Sequence, residues 1–291
     1  MIFLVDWSWV CYLSFYGNQS LSVNKKGVEI KTGAIRGGFT FIKQIHEFCP
    51  EAIIYLCLDG KARKALRVLP EYKAQRERDN TIIGLNRDRL ASVFVHMPFV
   101  KIAFHPDQEA DDTIGFLCDS LPRCNGEEIV IMSTDMDLRQ LVNNDLGISA
   151  AQRFDDSGLL KEKEKQVAFK MGCPPSGIPL LKAIMGDKSD NVPGIGGFKE
   201  EVAKKIASNF KTPDELMNAR KGLLSGAYAV HMKRLFSCMD TVRRNYIITK
   251  IDPEYIPTIT ETSDEDWRKF LKYYEAKTTL MQMEELCANR S

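Results

Sequence analysis

Ile2-Phe3-Leu4-Val5-Asp6 is the stretch on which the fold turns. Four apolar residues closed by an aspartate read as a short strand buried on both faces, as in a parallel sheet. The same shape returns twice. Ile53-Ile54-Tyr55-Leu56-Cys57-Leu58 ends in Asp59, and Ile129-Val130-Ile131-Met132-Ser133 runs into Thr134-Asp135-Met136-Asp137. A fourth run, Val100-Lys101-Ile102-Ala103-Phe104, precedes Glu109-Ala110-Asp111-Asp112. Helical stretches over about 34–48, from about 108 to 117, and after Asp135 alternate with these runs. That alternation predicts an α/β domain built on a mostly parallel sheet flanked by helices.

Beyond about residue 160 the pattern changes. Lys161-Glu162-Lys163-Glu164-Lys165 reads as a solvated charge run opening a helix. Helices then follow, joined by the turns Cys173-Pro174-Pro175-Ser176-Gly177 and Val192-Pro193-Gly194-Ile195-Gly196-Gly197. Residues 251–266 fit a helix poorly, and Trp267 to Glu285 reads as helical again. The expected organisation is an α/β domain over 1–165 and a helical region over 166–291.

At 44% hydrophobic and 27% charged, the 291 residues belong to a globular chain rather than a disordered one. No apolar run approaches the roughly 20 residues of a membrane helix, and the N-terminus lacks the basic segment of a signal peptide. The eight cysteines form no C-x-x-C pair, and the four histidines stand apart, so neither zinc nor a disulfide framework is expected. A cytoplasmic, monomeric protein with no membrane partner is the expectation. The formal net charge of +1 is uninformative until the charges are located.

Aspartate is a poor strand residue, yet three expected strands end in one. In open α/β sheets ligands bind outside the carboxyl ends of the strands. Asp6, Asp59 and Asp135, the helix-start acids Glu109, Asp111 and Asp112, and Asp137 would therefore meet at one edge. Asp187 and Asp190 lie in the turn Gly186-Asp187-Lys188-Ser189-Asp190-Asn191. Any one of these could be a helix cap or turn residue. Together they would repel one another unless divalent cations were bound, and all-oxygen ligation suits Mg²⁺ or Mn²⁺. Two cations would suit in-line displacement at a phosphate ester, leaving a phosphatase and a nuclease to be separated.

The segment 61–89 carries nine basic residues, among them Arg67, Lys73, Arg76 and Arg87, against four acids. A one-signed excess beside an acidic site fits a polyanionic substrate, and Tyr72 could stack on a base. The glycine turn at Gly194 and Gly196 opens a helix carrying Lys199, Lys204 and Lys205, a pattern suited to a phosphate oxygen. Lys25 to Arg36 and His231 to Lys250 are also basic. Basic surface beyond the site edge favours extended nucleic acid over a small ester.

Four motifs resemble one family, the flap endonucleases or 5′–3′ exonucleases of bacteriophages and bacterial DNA polymerase I. They are Leu69-Pro70-Glu71-Tyr72-Lys73 with Arg76, Glu109-Ala110-Asp111-Asp112, Ser133-Thr134-Asp135-Met136-Asp137, and Leu181-Lys182-Ala183-Ile184-Met185-Gly186 running on through Asp187 and Asp190 to Gly196. They stand in the family's order, and the resemblance spans about 6 to 210.

The resemblance implies two Mg²⁺, one near Asp6, Asp59, Glu109, Asp111 and Asp112, the other near Asp135, Asp137, Asp187 and Asp190. It implies an arch over about 70–96 that passes a single-stranded 5′ end, with Lys73 and Arg76 on the scissile phosphate. It implies a helix–three-turn–helix over about 178–210, including Lys182, that grips duplex DNA and holds K⁺ in its turn. The substrate would be branched, flapped or nicked DNA, with RNA-primed duplexes included.

The chain departs from the family at Trp7, where a small residue is usual, at Leu13, where a basic one is, and at Gly38, which lengthens Thr32-Gly33-Ala34-Ile35-Arg36-Gly37-Gly38-Phe39 by one glycine. With no polymerase segment and no sliding-clamp peptide, a stand-alone nuclease is expected. A catalytically silent DNA-junction binding factor and a phosphomonoesterase using Asp135 and Asp137 are the rival readings.

Overall fold

In the computed structural model the three runs that end in aspartate lie side by side. The model describes residues 1–75, 87–121, 126–155, 158–223 and 229–288. Arg76, and with it residues 76–86 of the expected arch, lies outside the described residues.

The chain opens with β1 (Ile2–Asp6), α1 (Trp7–Gly17), a hairpin of β2 (Ser22–Lys25) and β3 (Val28–Lys31), and α2 (Gly33–Phe48). It continues through β4 (Ile53–Cys57), α3 (Arg63–Val68), α4 (Arg87–Phe94), β5 (Val100–Phe104), α5 (Ala110–Ser120) and β6 (Ile129–Met132). After a 3₁₀ turn at Asp137–Leu141 come β7 (Ile148–Asp155) and β8 (Gly158–Glu162).

Helices α6 (Glu164–Met171) and α7 (Ile178–Met185) lead to the two-residue strands β9 (Gly186–Asp187) and β10 (Val192–Pro193). Then follow α8 (Glu200–Asn209), α9 (Pro213–Asn218), α10 (Arg220–Leu223), α11 (Ala229–Ser237), α12 (Met239–Thr249), β11 (Thr258–Thr260), α13 (Trp267–Tyr273) and α14 (Lys277–Ala288).

Seven strands form one sheet in the order β11-β5-β4-β1-β6-β7-β8. The inner five are parallel, and the two edges, β11 and β8, are antiparallel to their neighbours. Alternation along β1 splits the core. Phe3 and Val5 face the layer of α1, α2 and α4, while Ile2 and Leu4 face α5. Phe3, Leu4 and Val5 are wholly buried, as a central parallel strand requires. The register sets Val5 opposite both Leu56 and Met132, so the strands end level and their following residues emerge along one edge.

Three elements differ from the sequence reading. The stretch after Asp135 is a 3₁₀ turn rather than an α-helix, because the tight turn at Asn143–Gly147 and the start of β7 leave it five residues. Residues 267–285 form two helices. Glu275 takes a left-handed φ of 55°, and the Ala276 N–H reaches back to the Leu271 carbonyl, which ends α13 as a helix C-terminus commonly ends. The weakly patterned stretch after 251 supplies β11, which pairs with β5, and Trp267, Phe270, Leu271 and Met283 pack into the core under β1. The chain thus returns to the first layer across the boundary expected at 165.

Helices α6 to α12 enclose a second core around Leu180, Ile184, Ile206 and Leu235. Between α7 and α8 the chain turns with little clearance. Gly186 adopts φ +77°, and a Cβ on Gly194 would stand 1.9 Å from the Met185 carbonyl oxygen. The buried Asn245 fastens this turn, donating from Nδ2 to the carbonyls of Ala183 (3.0 Å) and Pro193 (2.6 Å). Gly196 faces open space. Gly194→Ala is therefore expected to cost about 1–3 kcal/mol of stability through overpacking. Gly196→Ala is expected to leave stability unchanged. Denaturant unfolding of the two variants checks this, and equal midpoints would contradict it.

Candidate metal centre

Asp6 closes β1 and caps α1, accepting the Trp9 N–H at 3.1 Å. Its other oxygen accepts from Ser133 Oγ at 2.9 Å, which ties the end of β1 to the end of β6. Ser133 Oγ in turn accepts the Asp135 N–H (3.0 Å), and Asp135 Oδ1 accepts the Asp137 N–H (2.8 Å). Asp59, just past β4, accepts the Ala110 N–H at 3.0 Å and so anchors the start of α5. It also takes Ser8 Oγ and an Arg87 guanidinium nitrogen at 3.4 Å. Glu109 occupies the N-cap position of α5, with Asp111 and Asp112 in the first turn, where the helix dipole favours acids.

The opposite wall is the turn after α7. Asp187 Oδ1 accepts from the N–H (2.8 Å) and Oγ (2.6 Å) of Ser189. Oxygens of Asp137, Asp187 and Asp190 lie within 4.8 Å of one another. Lys182 sits between them, paired to Asp137 and to Asp187 (2.8 Å). Residues 71–75 join the walls. The Lys73 N–H donates to the Asp190 carbonyl (3.0 Å), and Lys73 Nζ reaches Glu109 (2.6 Å) and Asp190 (3.7 Å). The Tyr72 hydroxyl stands 3.1 Å from Glu109 and 3.0 Å from Asp190, with one proton to share between two carboxylates. Glu109, Asp111, Asp112, Asp135, Asp137, Asp187 and Asp190 all line one cleft.

This crowding shows in the acidities. Burial and then the Asp59 charge raise the Asp6 pKa to about 6. Burial pushes Asp111 well above the carboxylate range, with Asp135, Asp6 and Glu109 adding to it. Asp112 rises to about 6 through burial, although Lys64 opposes the rise. Asp137 also rises to about 6 through burial, despite the Lys182 ammonium. Asp187 goes the other way. Burial would raise it, but hydrogen bonds from Lys182 and Ser189 hold it at about 2. Buried oxygens that resist ionisation, with no His or Cys among them, form a donor set fitted to hard divalent cations.

A family model described as the 5′–3′ exonuclease N-terminal, resolvase-like domain matches residues 1–172. The chain belongs to the 5′–3′ exonuclease family. It is 27% identical over 223 residues to a 5′-3′ exonuclease of Bacillus subtilis, covering 74% of this chain and 72% of that one. It is 27% identical over 217 residues to DNA polymerase I of Caldicellulosiruptor bescii, of which it spans only 25%. The fold matches the bacteriophage T5 D15 protein crystallised with metal ions, with TM-score 0.64, 17% identity and coverage of 98% of this chain and 99% of that one. It also matches a T5 D15 flap endonuclease complex with DNA and metal ions, with TM-score 0.60, 16% identity and 99% of both chains covered.

Within this 5′–3′ exonuclease family member, Asp6 and Asp59 stand beside the cleft rather than lining it, linked to it through Ser133 and through the start of α5. Lys73 is on the cleft wall. Two residues expected to meet DNA make contacts within the protein at the cleft. Tyr72 is 8% exposed and packs on Ala65, Leu69 and Val192, so its ring offers no stacking face and its hydroxyl instead bridges the two walls. Lys182 points into the acids, because an ammonium there offsets two carboxylates that the fold brings together.

Arg67 lies exposed on α3 and pairs with Glu254, and Arg36 lies on α2, in a groove bordered by α14. Exposed Lys199 occupies the N-cap position of α8, Lys204 pairs with Glu200 (2.7 Å), and Lys205 is exposed. Sequence reasoning gave no role to Ser133, Ser8 and Arg139, and read Lys64 only as one of the basic residues of 61–89, whereas it lies on the cleft wall near Asp112. Of the first three, only Ser133 carried a signal, as the last residue of a strand-end motif.

In the cation-free protein Asp6, Asp112 and Asp137 keep protons to about pH 6 but lose them near 3.8 when unfolded. The native state then holds the extra protons, so their contribution to stability falls as pH rises from about 4 through 6. A divalent cation held by these carboxylates would favour their ionised form and reverse the loss. Mg²⁺ is therefore expected to raise the melting temperature by several degrees at pH 7.5 and by clearly less at pH 5. Thermal melts with and without EDTA check this. An equal rise at both pH values would contradict the assignment.

Proposed function

We propose that this chain is a structure-specific 5′ nuclease that hydrolyses phosphodiester bonds of branched, flapped or nicked DNA near a single-stranded 5′ end. The observation that carries the reading is the convergence of seven carboxylates in one cleft, with Lys73 held at its wall by Glu109. In this reading Asp6, Asp59, Glu109, Asp111 and Asp112 hold one Mg²⁺, and Asp135, Asp137, Asp187 and Asp190 the other, with Mn²⁺ able to substitute. Bound divalent cations supply positive charge for the scissile phosphate and make nearby water more acidic.

The protein's own residues do the rest. Lys73 carries a fixed ammonium 2.6 Å from Glu109, where it can pass from carboxylate to phosphate as substrate enters and meet the charge that grows on phosphate oxygens. Its left-handed backbone (φ 54°) and its N–H bond to Asp190 fix where the side chain starts. Tyr72 holds Glu109 and Asp190, one from each proposed group, at a set separation. Arg76 of the arch would share the phosphate. The Pro193–Gly197 turn would take duplex phosphates, with K⁺, and Lys199, Lys204 and Lys205 would add charge there.

The test uses 5′-labelled flap, nicked and RNA-primed duplexes in Mg²⁺ or EDTA, with product lengths read on a gel. Mg²⁺-dependent release of short 5′ products is expected. The double variant Asp135→Asn with Asp137→Asn should lose cleavage while retaining DNA binding, and undiminished turnover would end the assignment. Lys73→Ala should lower turnover by about 10²-fold with little change in DNA affinity, as loss of a transition-state charge partner does. A defect confined to binding would move Lys73 out of the catalytic role.

A further inference from the structure

Arg139 plays no part in the sequence reading, yet its side chain is fully buried. It stands on the 3₁₀ turn two residues past Asp137. One terminal guanidinium nitrogen, Nη1, donates to two backbone carbonyls, of Ser133 (2.8 Å) and of Asp135. Nε donates to Glu162 at the end of β8 (3.2 Å). The second Glu162 oxygen takes Lys170 of α6, which lowers the Glu162 pKa against the effect of its burial. Nη2 has no partner among the described residues, so the guanidinium is costly to bury, and its three acceptors must hold it in place.

The carbonyls it grips belong to residues that act on the site with their other atoms. Ser133 Oγ donates to Asp6, and Asp135 Oδ1 takes the Asp137 N–H. Movement of this loop would displace three proposed cation ligands together. A planar guanidinium spans the two carbonyls and the carboxylate at once, whereas a lysine ammonium at the same position is too compact to span them.

We propose that Arg139 is a positioning residue for the divalent cations, clamping the Ser133–Asp137 loop against Glu162 on the antiparallel edge strand so that Asp135 and Asp137 stay in ligating position. Groups behind metal ligands commonly change metal affinity or activity 10- to 100-fold. The inference rests on the cleft being a cation site, and the test separates the two ideas.

Mn²⁺ is titrated calorimetrically into the wild-type chain, Arg139→Lys and Glu162→Gln. Melting of each cation-free protein is followed, with kcat and KM on flap DNA. Both variants are expected to melt cooperatively and to bind Mn²⁺ about 10- to 100-fold more weakly, Glu162→Gln the less affected. Their kcat should fall at limiting Mn²⁺ and recover in excess, with KM for DNA unchanged. A wild-type chain that binds no Mn²⁺ removes the cation-site reading itself. Wild-type binding matched by both variants overturns the role of Arg139 alone. So does a lowered melting temperature with unaltered Mn²⁺ affinity, or failure of both variants to fold, since either assigns Arg139 to stability.

Discussion

The constraint on which this structure depends is mutual repulsion among carboxylates gathered in and beside one cleft. The fold meets it with backbone donors. Asp6 takes the Trp9 N–H, Asp59 the Ala110 N–H, Asp135 the Asp137 N–H and Asp187 the Ser189 N–H. Each acid is held by the start of a helix or turn that it helps to form, so it cannot swing away without unmaking that element. A backbone donor fixes position while adding only a partial charge. The acids are therefore held in place but not neutralised, and burial, the largest cause, still raises the pKa of Asp6, Asp112 and Asp137 to about 6.

That anchoring explains why two cores serve one site. The sheet supplies one wall and the α7–α8 turn the other, and each wall is rigid in its own packing. Between them run polar ties as well as apolar contact, where Ala65, Leu69 and Tyr72 meet Val192 and where Ala150 of β7 enters the second core. Tyr72 bridges Glu109 and Asp190, Asn191 Nδ2 donates to the Glu71 carbonyl, and Gln140 Nε2 donates to the Thr249 carbonyl. The hydrogen bonds add directional constraints to that packing.

The parallel strands and the acids at their ends were legible because burial on both faces and an aspartate stop are local properties of five or six residues. What escaped depends on partners far away in sequence. Nothing around Tyr72 shows that its hydroxyl will meet Asp190, 118 residues on. Lys182 resembles a surface lysine until Asp137 arrives beside it. Arg139 lies between Leu138 and Gln140 in a stretch that reads as a helix, and its partner Glu162 sits in a charge run that reads as solvated. Strand β11 is three residues of weak pattern whose only reason to extend is the open edge of β5. The two departures at Trp7 and Gly38 belong together. The Trp7 ring fills the space into which a Cβ at position 38 would project, 3.1 Å from its nearest atom, so the small residue accommodates the large one.

The near-neutral total charge resolves on the same terms. Setting aside the nine site acids turns +1 into +10 for the remainder of the chain. Part of that excess faces inward, since Lys73 and Lys182 act as counter-charges within the cleft. They are not sufficient. Asp137 remains near pH 6 although Lys182 contacts it, because burial outweighs a single ammonium that Asp187 also shares. An ammonium brings one charge and three donors, while a divalent cation brings two charges and takes six or more oxygens. Lys73 and Lys182 offset part of the repulsion, and the negative charge they leave uncompensated is of the kind that a divalent ion held by oxygens would offset.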